Sequence, residues 1–136
     1  MSQWPKRPSI YEINTLVWIH GFYGKLRSVL RPLASEELEW RLCESSGWPD
    51  NSSFENVLAW SWSNREQRYL VVVNFSDLSA QCRVHMSWHD LAGCALNFTD
   101  LFTGEVYHRI GDEFLDPGLF VDLHPWGYHL LKVTRG

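Results

Sequence analysis

Short apolar segments alternate with polar, turn-prone segments from residue 39 to residue 136. Val57–Ser63 and Tyr69–Phe75 are two such segments, and because the polar turn Asn64–Gln67 joins them, they predict a hairpin at the centre of a sheet. Residues typical of turns, such as Thr103-Gly104, separate the others. The remaining predicted strands are Trp40–Cys43, Ala80–Met86, Ala95–Asp100, Glu105–Ile110, Leu119–Leu123 and Tyr128–Val133. This spacing predicts a mainly β fold for residues 39–136, an antiparallel β-sandwich.

The pattern differs over residues 1–38, which form a separate N-terminal segment. Ser9–Ile19 is rich in β-branched and aromatic residues without clean alternation, so it predicts a strand covered on both faces. From His20 to Leu33 the period changes to three and four residues, which predicts one α-helix that Pro32 ends near Leu30. The apolar face of this helix comprises Phe22, Leu26, Val29, Leu30 and Leu33.

Strand periodicity also predicts which side chains form the core of the β-sandwich. The positions that combine apolar character with this periodicity are Leu58, Trp60, Leu70, Val72, Phe98, Phe120 and Leu130.

Composition narrows the class of protein. The chain has 136 residues, the size of one ordinary domain, and a net charge of -4 without a basic stripe, so we expect no nucleic-acid partner. Its three cysteines form no C-x-x-C pair, which favours free thiols in a reducing compartment. The first residues lack the pattern of a signal peptide, and no apolar run is long enough to span a membrane. We therefore expect a cytoplasmic protein that has no membrane partner.

Several segments are similar to the C-terminal β-domain of the alpha-amylase family of glycoside hydrolases. The strand end Val-Val-Asn-Phe-Ser and the closing turn Leu-His-Pro-Trp-Gly are the most specific features when found together. The similar segments are Val57–Trp60, Arg68–Ser76, Thr99–Leu101, Thr103–Glu105 and Leu119–His129. In addition, residues 7–19 resemble the first strand of the family's catalytic barrel, and residues 20–34 resemble its last helix.

The resemblance implies a protein without the family's catalysis. A (β/α)₈ barrel needs roughly 250 residues, more than the whole of this chain. The family cleaves glycosidic bonds with two carboxyl groups presented by barrel strands, and those strands have no counterpart here. The resemblance therefore predicts a non-catalytic protein with no catalytic residues to carry over.

Other candidate sites are weak. Asp112, Glu113 and Asp116 cluster in one predicted loop, where acids usually cap backbone groups or face water. His85 with His89, and His124 with His129, lack the spacing of a zinc site. No Gly-x-Ser-x-Gly motif supports a catalytic triad. The sequence therefore predicts no catalytic residue, no metal site and no cofactor.

Eight tryptophans in so short a chain raise the question of sugar binding, because aromatic rings stack on the apolar faces of sugars. Trp60 and Trp62 share one face of a predicted strand and are assigned to core packing. Trp48 and Trp88 stand beside polar loop residues and are the candidates for an exposed carbohydrate platform.

Two functions follow from these observations. The first is a non-catalytic accessory β-domain with a structural or interaction role linked to α-glucan metabolism. The alternative is a carbohydrate-binding module that holds an α-glucan through loop tryptophans. Because the N-terminal strand and helix would lack their barrel neighbours, we also expect a homo-oligomer that buries them, including Ile10, Ile13 and Val17.

Overall fold

The computed structural model describes Gly24, Ser28 and residues 38–136. The chain divides into two compact units, Met1–Glu36 and Glu37–Gly136. In the first unit, Gly24 and Ser28 are helical and exposed, and both belong to the segment predicted as a helix. The predicted strand Ser9–Ile19 and the rest of that helix lie outside the described residues, as does the predicted oligomer face.

The second unit contains eight strands that follow the apolar segments of the sequence closely. They are β1 Glu39–Ser46, β2 Val57–Ser63, β3 Arg68–Asn74, β4 Ala80–His85, β5 Ala95–Asp100, β6 Val106–Ile110, β7 Leu119–Leu123 and β8 Tyr128–Arg135. Three single helical turns lie between strands: 3₁₀ turns at Ser53–Asn56 and His89–Leu91, and an α-helix at Asp112–Leu115. The α-helix occupies a segment that the sequence assigns only to a turn. Its two acidic residues at the start suit the positive end of a helix dipole.

All eight strands form one antiparallel sheet in the order β6-β5-β8-β3-β2-β1-β4-β7. The predicted mainly β, antiparallel fold is confirmed. The strands form one continuous curled sheet, because β1 is twice as long as predicted and serves two neighbours. Its residues 39–43 pair with β2, and its residues 44–46 pair with β4.

One face of this sheet, the inner face, encloses the hydrophobic core. Side chains of a strand alternate between faces, and the inner positions of β2, β3 and β4 include Ala59, Leu70 and Cys82. Inner residues of β5, β7 and β8 pack into the same cluster. They are Leu96, Phe98, Leu119, Val121, Leu123, Leu131 and Val133. The two ends of the curled sheet therefore share one core.

Part of the predicted core lies elsewhere. Leu70, Val72 and Phe98 belong to the core as predicted, and Leu130 is buried but lies outside this cluster. Leu58 and Phe120 are exposed, and Trp60 is only half-buried. The prediction was wrong for β2 and β7 because it assigned the outward-facing residues of these strands to the core. In β2 the small residues Val57, Ala59 and Ser61 are buried instead, and the larger side chains point outward.

No helix in the described part of the chain is long and apolar enough to cross a membrane.

Candidate functional site

A cleft of about 410 Å³ opens between β6 and β7, the two edge strands of the sheet. Hydrogen bonds between these strands would close the sheet into a barrel, but they are not paired with each other among the described residues. The cleft therefore leads to the inner face of the sheet. β6 contributes Tyr107 and Arg109 to its lining, and β7 contributes residues 119–123.

A histidine–aspartate pair lies on the inner face beside the cleft. Asp100 is fully buried and its Oδ2 atom is 2.8 Å from Nδ1 of His129. Because an ionised carboxylate only accepts hydrogen bonds, Nδ1 of His129 is the donor, and the ring is held in one orientation. The second oxygen, Oδ1, accepts the N–H of Phe102 at 2.8 Å.

The surroundings of Asp100 favour its charged form. Burial raises the pKa of Asp100, but the hydrogen bonds from His129 and from the backbone N–H of Phe102 lower it. The net result is a pKa below its ordinary value of 3.8. The cleft therefore has a fixed negative charge behind His129.

A second hydrogen-bonded pair stands at the cleft. The hydroxyl of Tyr107 donates to Oε2 of Glu105 at 2.6 Å, and the Tyr107 and His129 rings form a T-shaped contact with centroids 5.8 Å apart. This hydrogen bond, together with partial burial, raises the pKa of Tyr107 to about 12. Tyr107 is therefore a neutral hydroxyl near neutral pH. The cleft combines three carboxylates, two histidines, one arginine and four aromatic rings.

The lining of the cleft contains one aliphatic hydroxyl group and no thiol among the described residues. Among the described residues that line the cleft there is no serine or cysteine. Thr103 lines it, but its hydroxyl oxygen accepts the N–H of Glu105 at 3.2 Å. Two thiols of the domain are also poor nucleophiles, since burial raises the pKa of Cys82 to about 11 and raises that of Cys43.

The two tryptophans selected from the sequence lie in different environments. Trp88 is only 9% exposed, and its ring packs edge-on against Phe114, with the Arg68 guanidinium 5.5 Å from its ring centroid. It is therefore buried, contrary to the expectation of exposure, because it joins the core through Phe114. A ring buried in this way has no free face for a sugar.

Trp48 is 38% exposed and lies in a surface aromatic cluster. Its ring centroid is 6.2 Å from that of Phe120, and the guanidinium of Arg83 lies over both rings at 5.9 and 5.6 Å. Arg83 also donates to the carbonyl of Gly118 at 3.3 Å. The carbohydrate platform proposed from the sequence is thus reduced to Trp48, with Phe120 as its aromatic neighbour.

Three of the other candidate acids and histidines are engaged in local contacts. Asp112 accepts the N–H of Gly93 at 2.9 Å, and Glu113 lies 3.9 Å from Arg109. Nε2 of His85 is hydrogen-bonded to the hydroxyl of Ser46 at 2.8 Å. In the described part of the chain, no three His, Cys, Asp or Glu side chains converge as they would around a metal ion.

A second surface of interest is the outward face of β1, β2, β3 and β8. Strand pairing aligns Leu42, Trp60, Val71 and Leu130 in one row across all four strands. A parallel row contains Trp40, Trp62 and Tyr69 and ends at Lys132. We call these two rows, with Leu58 and Val73, the outward apolar face. Val71, Val73 and Leu130 are fully buried, whereas Trp40 and Leu42 are 55% and 57% exposed.

No family model matches the chain, and no curated protein matches it.

The cleft residues were not identified from the sequence, although a signal for them was present. On β5, Asp100 lies on the same face as Leu96 and Phe98. On β8, His129 lies on the same face as Leu131 and Val133. A polar residue at a core-facing position is an informative exception. What the sequence did not reveal is that β5 and β8 are neighbours, which brings these two exceptions together.

Proposed function

We propose that this chain is a non-catalytic accessory β-domain, related to the C-terminal domain of the alpha-amylase family, with an interaction role linked to α-glucan metabolism. The observation that carries this proposal is the outward apolar face. The relation to the amylase family and the metabolic link rest on the sequence segments described above.

The outward apolar face is unusual for a sheet with one solvated side. An antiparallel sheet that covers a core on one side normally alternates apolar and polar residues. In β3, four consecutive residues, 70–73, are fully buried, so both faces of this strand are shielded from water. Trp40 and Leu42 continue the same face and are largely exposed. An exposed apolar patch of this kind commonly marks a protein interface.

The hydrogen bonds made by carboxylates in the cleft support a non-catalytic role. Glycoside hydrolysis requires two carboxyl groups that can act on the bond. Asp100 is held by His129 and the backbone, and Glu105 is held by Tyr107. These are two of the three carboxylates that line the cleft, and because both are engaged, only Asp122 remains and it has no second free carboxyl group to form an acid–base pair.

Self-association through the outward apolar face is the interaction that we propose to test first. Light scattering across a dilution series of the wild-type chain should show a dimer that dissociates on dilution. The double variant Trp40→Ser and Leu42→Ser should stay monomeric at concentrations where the wild type is dimeric. Both side chains are exposed, so their replacement opens no cavity in the core.

Two controls locate the interface. Phe120→Ser removes an exposed apolar residue outside the outward apolar face, and it should leave the dimer intact. Deletion of residues 1–19 tests the alternative interface at the N-terminal strand and helix. A wild-type chain that is monomeric at every concentration would contradict self-association through either surface.

The exposure of Trp48 favours a second candidate function, the binding of an α-glucan. Titration with maltooligosaccharides should change tryptophan fluorescence, and Trp48→Ala should abolish the change. Trp40→Ala is the matched control, because Trp40 is also exposed but lies in the outward apolar face. An equal response in the wild type and the Trp48→Ala variant would exclude Trp48 as the platform.

A further inference from the structure

The cleft between β6 and β7 has the properties of a small-molecule site. Its volume of about 410 Å³ falls within the range of roughly 300–1,000 Å³ that is typical of ligand pockets. One side of β7 pairs with β4, and its other side pairs with no described strand. An edge strand of this kind presents backbone N–H and C=O groups that can bind a ligand.

His129 supplies a side-chain atom that is available to such a ligand. Its Nδ1 donates to Asp100, so the neutral ring carries its lone pair on Nε2. Nε2 makes no hydrogen bond to a described residue, and His129 lines the cleft. Because Asp100 and the Tyr107 ring fix the orientation of the imidazole, Nε2 is a preorganised acceptor.

The charges around the cleft indicate which ligands fit. Three carboxylates line it, those of Asp100, Glu105 and Asp122, against one arginine, Arg109. This excess of negative charge disfavours an anionic ligand. The mixture of acceptors, donors and aromatic rings suits a molecule that has many hydroxyl groups and an apolar ring face.

We infer that the cleft between β6 and β7 binds a small polyhydroxylated ligand of monosaccharide or disaccharide size. Glu105 and Nε2 of His129 accept hydrogen bonds from its hydroxyl groups, Arg109 donates, and the Tyr107 ring packs against its apolar face. This site is separate from the outward apolar face and does not depend on self-association.

Amide NMR of the full chain, titrated with glucose and with maltose, tests the inference and locates the ligand. Amide shifts should change for residues 105–109, for residues 119–124 and at His129. A size-matched aliphatic diamine serves as the comparison ligand, because it would respond to the negative charge alone. Shifts with the diamine but not with either sugar would overturn the inference.

Two conservative variants test the named contacts. Glu105→Gln changes an exposed carboxylate to an amide that can still accept from Tyr107. His129→Asn keeps a donor for Asp100 near the position of Nδ1 but removes Nε2. Each should weaken sugar binding about tenfold, the effect of losing one hydrogen bond in which charge or orientation matters. Denaturant unfolding checks that both variants remain folded.

Trp48→Ala is the control that separates the two sugar hypotheses, and it should leave binding in the cleft unchanged. Shifts confined to the surroundings of Trp48 and Arg83, with none at residues 105–109 or at His129, would overturn the cleft as the site and support the alternative platform. Sugar binding that is equally strong in Glu105→Gln, His129→Asn and the wild type would also overturn the inference.

Discussion

Nδ1 of His129 lies 2.8 Å from Oδ2 of Asp100, and this contact joins the start of β8 to the end of β5. The other oxygen of Asp100 holds the N–H of Phe102 in the turn that follows β5. One buried carboxylate thus fixes a turn and orients a histidine at the cleft. The same contact should therefore affect both stability and the geometry of the cleft.

The first prediction concerns acid stability. Because the folded-state pKa of Asp100 is lowered, its contribution to stability is complete above the ordinary value of 3.8 and is lost as pH falls through the lowered folded-state pKa. Asp100→Asn lacks this contribution. The difference in unfolding free energy between wild type and Asp100→Asn should therefore be largest above pH 3.8 and shrink below it. Urea unfolding at a series of pH values measures this difference, and a difference that does not change with pH would contradict the assignment.

The second prediction concerns Asn74, a fully buried residue at the end of β3. Its Nδ2 donates to the carbonyls of Leu78 and His124, at 2.8 and 2.9 Å, and its Oδ1 accepts from Ser76 at 2.9 Å. Asn74→Ala removes three hydrogen bonds from a buried cluster and should destabilise the domain by about 3 kcal/mol.

Asn97→Ala is the matched control for Asn74. The side chain of Asn97 is hydrogen-bonded through Oδ1 to Nδ1 of His108 at 2.6 Å, and this pair is exposed. Its loss should cost less than about 1 kcal/mol in denaturant unfolding. Similar losses in the two variants would show that Asn74 does not have the central role assigned to it.

The positions of the strands could be predicted from the sequence because they depend on local patterns. The predicted limits of β2, β5 and β7 agree with the observed ones. The length of β1 could not be predicted, because residues 44–46 are polar and form strand only by pairing with β4. The core-facing side of β2 was predicted wrongly for a related reason. Both faces of this strand carry apolar residues, so hydrophobicity alone does not show which face is the inner one.

The candidate site was harder to predict because it depends on which strands are neighbours. Tyr107 and His129 lie on β6 and β8, and β5 lies between these strands in the sheet. The cleft itself results from the failure of β6 and β7 to pair, which is a property of the whole sheet. The exposure of Trp88 was also predicted wrongly from local sequence. Its polar sequence neighbours suggested exposure, but its tertiary contact with Phe114 buries it.

The third prediction contrasts two glycines near the same helical turn. A Cβ on Gly111 would lie 1.9 Å from the carbonyl oxygen of Leu91, which is backbone and cannot move aside easily. Gly93 has open space around its Cα, but its φ of +74° is in the left-handed region. Gly111→Ala should therefore cost about 3 kcal/mol by overpacking, and Gly93→Ala about 1 kcal/mol by backbone strain. Thermal or denaturant unfolding of both variants checks the order, and a larger loss at Gly93 would refute the steric argument.

The last prediction concerns Arg68, which has two partners. Its Nη1 donates to Oδ1 of Asp90 at 2.9 Å, and its guanidinium lies 5.5 Å from the centroid of the Trp88 ring. The hydrogen bond from Arg68 lowers the pKa of Asp90, but the Asp90 side chain is 55% exposed, so solvent screens the ion pair.

Solvent screens the ion pair but not the ring contact. Replacing Asp90 and replacing Arg68 should therefore have different effects on the free energy of unfolding. Asp90→Asn should change the free energy of unfolding by less than about 1 kcal/mol. Arg68→Ala should cost about 2 kcal/mol, since it also removes the cation–π contact and the packing of the arginine stem over Trp88. High salt should reduce the effect of Asp90→Asn more than that of Arg68→Ala. If both variants lose the same stability and respond equally to salt, the ion pair rather than the Trp88 contact would be the main contribution of Arg68.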